Sequence, residues 1–161
     1  MEEKKLEVRY KEYKSPKELN SEEQSILQKS VEVAENAYAP YSKFRVGAVV
    51  LFEDGNTFIG SNQENSAYPS GLCAERVAIF AASAKYPNKK IKSIAIFAAD
   101  SKRSENVISP CGSCRQVISE YEQKQDENIK ILLMNSEQNV WEFSSIESLL
   151  PFTFRLIVHN H

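Results

Sequence analysis

Three cysteines stand in two short blocks, Cys73-Ala74-Glu75 and Pro110-Cys111-Gly112-Ser113-Cys114, and a carboxylate follows the first cysteine by two residues. Thiolates bind zinc strongly. An ion held by three protein ligands keeps a fourth tetrahedral position for water, and it lowers that water's pKa enough to furnish hydroxide near neutral pH. Cys73, Cys111 and Cys114 are therefore the candidate ligands of a catalytic Zn²⁺. Glu75 stands where it would reach the water rather than the metal, as a proton carrier. A plainer reading of Glu75 is also open: carboxylates are favoured at helix N-termini by the helix dipole.

Other readings of the sulfur set differ in what they leave idle. A Cys-x-x-Cys in an α/β chain can be a thiol redox pair, which gives Cys73 and Glu75 nothing to do. A closed structural zinc site wants a fourth Cys or His, and the only histidines are His159 and His161. Three thiolates on one dication sum to a negative charge, which weakens the metal as an acid unless positive groups lie near. Arg76 and Arg115 each directly follow a block. Arg76 could donate hydrogen bonds to the sulfurs, or it could be a solvated surface arginine.

Bulk properties narrow the partners. A chain of 161 residues with 42% hydrophobic content predicts a single compact domain able to hold a rigid site. The formal net charge of -2 supplies no basic field for phosphates, so nucleic acid is excluded as a partner and a small molecule is expected. No apolar run reaches membrane-spanning length, and Met1-Glu2-Glu3-Lys4-Lys5 lacks the apolar core of a secretion signal. No membrane association and a cytoplasmic location follow as expectations, with thiols kept reduced for metal.

The elements that must position these residues read as an α/β pattern. Met1 to Leu19 is a charged arm with weak alternation at Leu6, Val8 and Tyr10, an edge strand or a segment that orders against something else. Ser21, with Gln24 in the capping-box position, predicts a helix carrying Ile26, Leu27, Val31, Ala34 and Tyr38 and ended by Pro40. Val46 to Phe52 and Thr57 to Gly60 flank the turn Glu53-Asp54-Gly55-Asn56 as a hairpin. A buried helix runs from Cys73 to about Lys85, apolar on most sides. Strand Ile91 to Ala98, helix Cys111 to Tyr121, strand Ile129 to Met134 and the short strand Trp141 to Phe143 follow, and then Ser145 caps a brief helix interrupted by Pro151. Both cysteine blocks thus open helices, where free N–H groups and the dipole favour thiolate.

At this level of detail the residues resemble a family. Cys73-Ala74-Glu75-Arg76 and Pro110-Cys111-Gly112-Ser113-Cys114-Arg115-Gln116, preceded by Ala39 to Ala48 and by Asn62-Gln63-Glu64-Asn65, are similar to the small homotetrameric cytidine deaminases with three-cysteine zinc sites. The resemblance spans roughly Tyr38 to Phe154. It implies a three-layer αβα sandwich around a mixed, about five-stranded sheet, with residues 20–161 as one zinc deaminase domain and 1–19 as an arm. It implies hydrolytic deamination of cytidine and deoxycytidine, with Glu75 taking the water's proton, delivering it to N3 of the base and later helping to protonate the departing amine. It further places Phe44 near the pyrimidine, the backbone at Ala74 and at Ser109-Pro110 along its edge, and Asn62 and Glu64 on the ribose 3'-hydroxyl. Tyr68 fits the substrate loop, although a packed aromatic with a satisfied hydroxyl explains it equally well. Free nucleosides are favoured, because a 3'-phosphate would set negative charge against Glu64.

The chain departs from the family pattern in two places. Gln63 and Ser66 stand in an Asn-x-Glu-Asn-x segment where relatives often carry Val or Ile and Ala, and an apolar run, Leu156-Ile157-Val158, follows Phe154. In relatives a phenylalanine near this end closes the pocket, and Phe154 matches it best. A homotetramer with shared active sites is implied by the resemblance alone. The rival readings are a deaminase of another aminated nucleoside such as blasticidin S, a non-catalytic zinc protein, and a thiol redox protein.

Overall fold

The computed structural model describes residues 1–99 and 106–155. Helix α1 spans Ser21–Ala34, α2 Ala74–Lys85 and α3 Gly112–Gln125. The strands are β1 Lys11–Tyr13, β2 Arg45–Phe52, β3 Thr57–Ser61, β4 Ile91–Ala99, β5 Lys130–Met134 and β6 Val140–Phe143. They form one sheet in the order β1-β6-β5-β4-β2-β3. Only β4 and β5 pair in parallel. The helix α3 lies between them in sequence, as a parallel crossover requires. The expected α/β class, mixed sheet and opening hairpin are all present.

Alternation along the central strands divides the core. Ala48, Val50 and Phe52 of β2 join Ala78, Ile79 and Ala82 of α2 and Ile118 of α3. Val49 and Leu51, on the opposite face, join Leu19, Ile26 and Leu27 of the α1 side. This period of two sends successive side chains of one strand into two layers, which is what a sheet covered on both faces needs. Leu27, Ile79, Ile94 and Leu132 are completely buried, and each contributes about 1.5–3 kcal/mol relative to exposure.

Glycine sets how closely the helices approach. A Cβ on Gly47 would stand 2.0 Å from the Ser30 carbonyl oxygen of α1. One on Gly60 would stand 2.4 Å from the Ala78 nitrogen and 2.5 Å from the Ala74 oxygen of α2. The backbone of β3 therefore lies against the first turns of α2, the turns that carry Cys73 and Glu75.

Several sequence expectations are corrected. The sheet has six strands rather than about five, because Lys11–Tyr13 pairs antiparallel with Val140–Glu142. Three charged or polar residues in a row give no periodicity to read. The α1 cap is Asn20, not Ser21: Asn20 Oδ1 accepts the Glu23 N–H at 2.9 Å, while Gln24 Nε2 donates to the Leu19 carbonyl at 2.7 Å. The helix ends at Ala34, well before Pro40. The intervening backbone has other partners, since Tyr38 N–H donates to the Asn62 carbonyl at 3.0 Å and Glu64 N–H to the Tyr38 carbonyl at 2.8 Å. Finally, α2 is not buried all round: Phe80 faces outward.

Candidate metal centre and active site

Cys73 and Cys111 are the N-cap residues of α2 and α3, both in extended backbone conformation and neither using its side chain as a cap. Cys114 lies in the first turn of α3, fully buried, three residues beyond Cys111 and so on the same side of the helix. The Sγ atoms of Cys73 and Cys111 are 3.7 Å apart and those of Cys111 and Cys114 3.5 Å. All three lie within 4.8 Å of one another. Sulfurs about 2.3 Å from a tetrahedral zinc ion stand about 3.8 Å apart, so the triangle fits Zn²⁺ in size and in ligand chemistry. Among the described residues it is the one such cluster of three or more potential ligands. His159 and His161 lie outside the described residues.

Cys73 and Cys114 shift in opposite directions. Hydrogen bonding from Cys114, and further from Arg76 and Cys111, brings the Cys73 thiol down to about 5 against the effect of burial. Hydrogen bonding to Cys73 and burial push Cys114 up. Cys73 is thus the thiol that gives up its proton more readily than Cys114, and metal binding favours the deprotonated form of each ligand. Arg76 Nη2 approaches Cys73 Sγ at 3.9 Å, the first of the two readings its position left open. Its Nε is buried with no hydrogen-bond partner among the described residues.

Glu75 is only 5% exposed, in the first turn of α2. Burial raises its carboxyl to about 7, and the Cys73 charge adds to the effect. A zinc ion on the neighbouring sulfurs acts in the opposite sense. A carboxyl placed between these influences can take up and give back a proton near neutral pH.

A cleft of about 580 Å³ opens beside Cys73, and Asn62, Glu64, Tyr68 and Arg76 line it. Phe44, Ala74 and Glu75 stand outside that lining. Ala74 is completely buried and Phe44 half-buried. Asn62 Oδ1 accepts the Val46 N–H at 2.8 Å and its Nδ2 donates to the Phe44 carbonyl at 2.9 Å. Glu64 Oε2 accepts the N–H of Tyr41 at 2.9 Å and of Ser42 at 3.3 Å, and Oε1 accepts the Ser42 hydroxyl. Tyr68 is 77% exposed, with its ring edge-on to Tyr41 at 6.2 Å. Phe154 is 70% exposed, and its carbonyl accepts from Gln116 Nε2 at 3.0 Å. The apolar run 156–158 lies outside the described residues.

Arg115 has a role that its position in the sequence did not disclose. Its Nε donates to the Pro110 carbonyl at 2.7 Å, Nη1 to the Leu149 carbonyl at 2.8 Å and Nη2 to the Ser109 hydroxyl at 2.8 Å. One guanidinium fork therefore ties the second cysteine block to the C-terminal segment. The only signal was an arginine directly after Cys114, and composition cannot distinguish such a clamp from a surface charge.

The chain is similar to known proteins in sequence and fold. The family profile described as "Cytidine and deoxycytidylate deaminase zinc-binding region" matches residues 20–126. A cytidine deaminase of Sporosarcina psychrophila is 39% identical over 131 residues, covering 81% of this chain and 90% of that protein. One of Halalkalibacterium halodurans is 37% identical, covering 81% and 92%. The crystal structure of cytidine deaminase from Burkholderia pseudomallei superposes with a TM-score of 0.70 at 35% identity, covering 81% of this chain and 97% of that one. Matched by the family profile over residues 20–126 and by relatives over most of its length, the chain belongs to the zinc-binding cytidine and deoxycytidylate deaminase family.

Proposed function

We propose that the protein hydrolyses cytidine and deoxycytidine to uridine and deoxyuridine, releasing ammonia, in pyrimidine salvage. The observation that carries this reading is the sulfur triangle with the buried Glu75 two residues from Cys73, which itself lines a cleft of about 580 Å³. That volume lies within the range of small-molecule sites. Cys73, Cys111 and Cys114 hold Zn²⁺, which when bound makes water acidic enough to supply a nucleophile near neutral pH. Glu75 takes one proton from the attacking water to ring N3 and then carries the second, from the hydroxyl newly bonded to C4, to the departing amine. Arg76 offsets the thiolate charge. The backbone at Ala74 and Ser109-Pro110 reads the base edge, Phe44 packs against the ring, Tyr68 belongs to the substrate loop, and Asn62 and Glu64 hold the ribose 3'-hydroxyl.

A carboxylate and an amide placed at one hydroxyl favour ligands that carry it. The carboxylate also repels a 3'-phosphate. Free nucleosides rather than polynucleotides follow as substrates. We further assign residues 20–161 to one deaminase domain and 1–19 to an arm, and infer a cytoplasmic homotetramer with shared active sites. The outward-facing Phe80, Phe152 and Phe154 supply apolar surface for such an assembly. No described helix is long and apolar enough to cross a membrane.

The deciding experiment measures bound zinc and ammonia release on one preparation, with cytidine, deoxycytidine, cytosine, cytidine monophosphate and blasticidin S compared. Turnover of cytidine and deoxycytidine with about one zinc per chain is expected from a single three-sulfur site. Turnover of cytosine but not cytidine overturns the ribose assignment. Metal without any deamination restores the non-catalytic reading.

A further inference from the structure

We propose that Ser42 is a positioning residue that joins the base-contacting and ribose-contacting sides of the cleft into one hydrogen-bonded unit and thereby sets discrimination for the 3'-hydroxyl. The inference rests on the placement of Phe44 at the base and Glu64 at the ribose given above. Its ground is the hydroxyl's double use. Ser42 Oγ accepts the Phe44 N–H at 3.0 Å and donates to Glu64 Oε1. The Phe44 carbonyl is held from the other side by Asn62 Nδ2 at 2.9 Å. Phe44 is therefore gripped at both backbone polar groups, one through Ser42 and one through Asn62, and Glu64 is fixed by the same hydroxyl.

The local backbone supports this use of a small hydroxyl. Lys43, between the two linked residues, has a φ of 60°, so the chain doubles back and brings the Phe44 N–H over the Ser42 side chain. The carboxylate also accepts the Tyr41 and Ser42 N–H groups, which fix it against the loop that shares the cleft lining. The Ser42 hydrogen bond is the main influence holding the Glu64 carboxyl below its ordinary value, keeping it an acceptor for a ribose hydroxyl. Without the hydroxyl, Phe44 N–H and Glu64 Oε1 each lose their partner, and both substrate contacts gain freedom that binding must then remove.

The test compares wild type, Ser42→Ala and Ser42→Thr with cytidine and 3'-deoxycytidine, alongside zinc content. Ser42→Ala is expected to retain its zinc, raise KM for cytidine by about tenfold, the loss of one hydrogen bond, and change kcat far less. Its preference for cytidine over 3'-deoxycytidine is expected to fall by a similar factor, and Ser42→Thr, which keeps the hydroxyl, to restore both. An active wild type whose Ser42→Ala variant keeps the same preference overturns this inference alone, as does a Thr variant that behaves like Ala. A wild type that releases no ammonia from cytidine overturns the functional reading beneath it.

Discussion

Glu75 owes its chemistry to where it sits: the same carboxylate on the outside of α2 would remain ionised and move no proton. Glu75→Gln keeps the size and removes the titratable proton. It is expected to retain zinc while kcat falls by roughly 10²–10⁴-fold, read by metal analysis and ammonia release on one sample. Undiminished activity would return Glu75 to a helix-dipole role. The sulfur ligands and this carboxylate were legible in the sequence because metal chemistry restricts both residue type and spacing. Arg115 was not, because its value lies in three carbonyl and hydroxyl partners that only folding brings together. The internal bonds of Asn62 and Glu64 were hidden for the same reason.

The elements hold the site through two devices, close backbone approach and a metal clip. Gly60 lets β3 touch α2 at Ala74 and Ala78, so Gly60→Ala must push away the turn that carries Cys73. Overpacking of this kind costs about 1–3 kcal/mol, and here it should also lower zinc content. Gly47→Ala crowds α1 instead. It should cost comparable stability while leaving metal per folded molecule unchanged, a contrast read by thermal melts with metal analysis. Because the candidate ligands open two different helices, a zinc ion bound to them would fasten α2 to α3. Chelation should lower Tm by roughly 5–10 °C for an ion otherwise present at 100 times its Kd. The hairpin and central strands were readable from hydrophobic runs. Asn20 and Ser21 are both good N-cap types, and nothing in the pattern of Ile26 and Leu27 decides between adjacent caps.

Across the whole molecule, the arm and the last strand close one edge of the sheet. Glu142 is buried on β6, where Lys11 Nζ donates to it at 2.9 Å and Tyr13 Oη at 3.0 Å. Burial works to raise its pKa, yet the Lys11 and Tyr13 hydrogen bonds outweigh it and hold the carboxyl below its ordinary 4.5. A carboxyl depressed on folding stabilises the native state fully above its unfolded pKa, and that contribution is lost as pH falls through the folded value. Stability should therefore drop on acidification below about 4.5. Glu142→Gln should be less stable at neutral pH and show a shallower acid limb in denaturant melts. Tyr10 adds a stacked contact on Phe143 at 5.4 Å, another tie that alternation alone could not locate.

The Lys11 to Glu142 pairing joins residues 131 positions apart. At 5–20 residues per second, a ribosome takes roughly 7–26 s to traverse that distance. Throughout that interval the nascent arm has no strand to lie against. Its density of lysine and glutamate keeps it hydrated and unattractive to other exposed edges while it waits. Completion of the sheet is consequently a late event in biosynthesis, coming after both cysteine-bearing helices have been made.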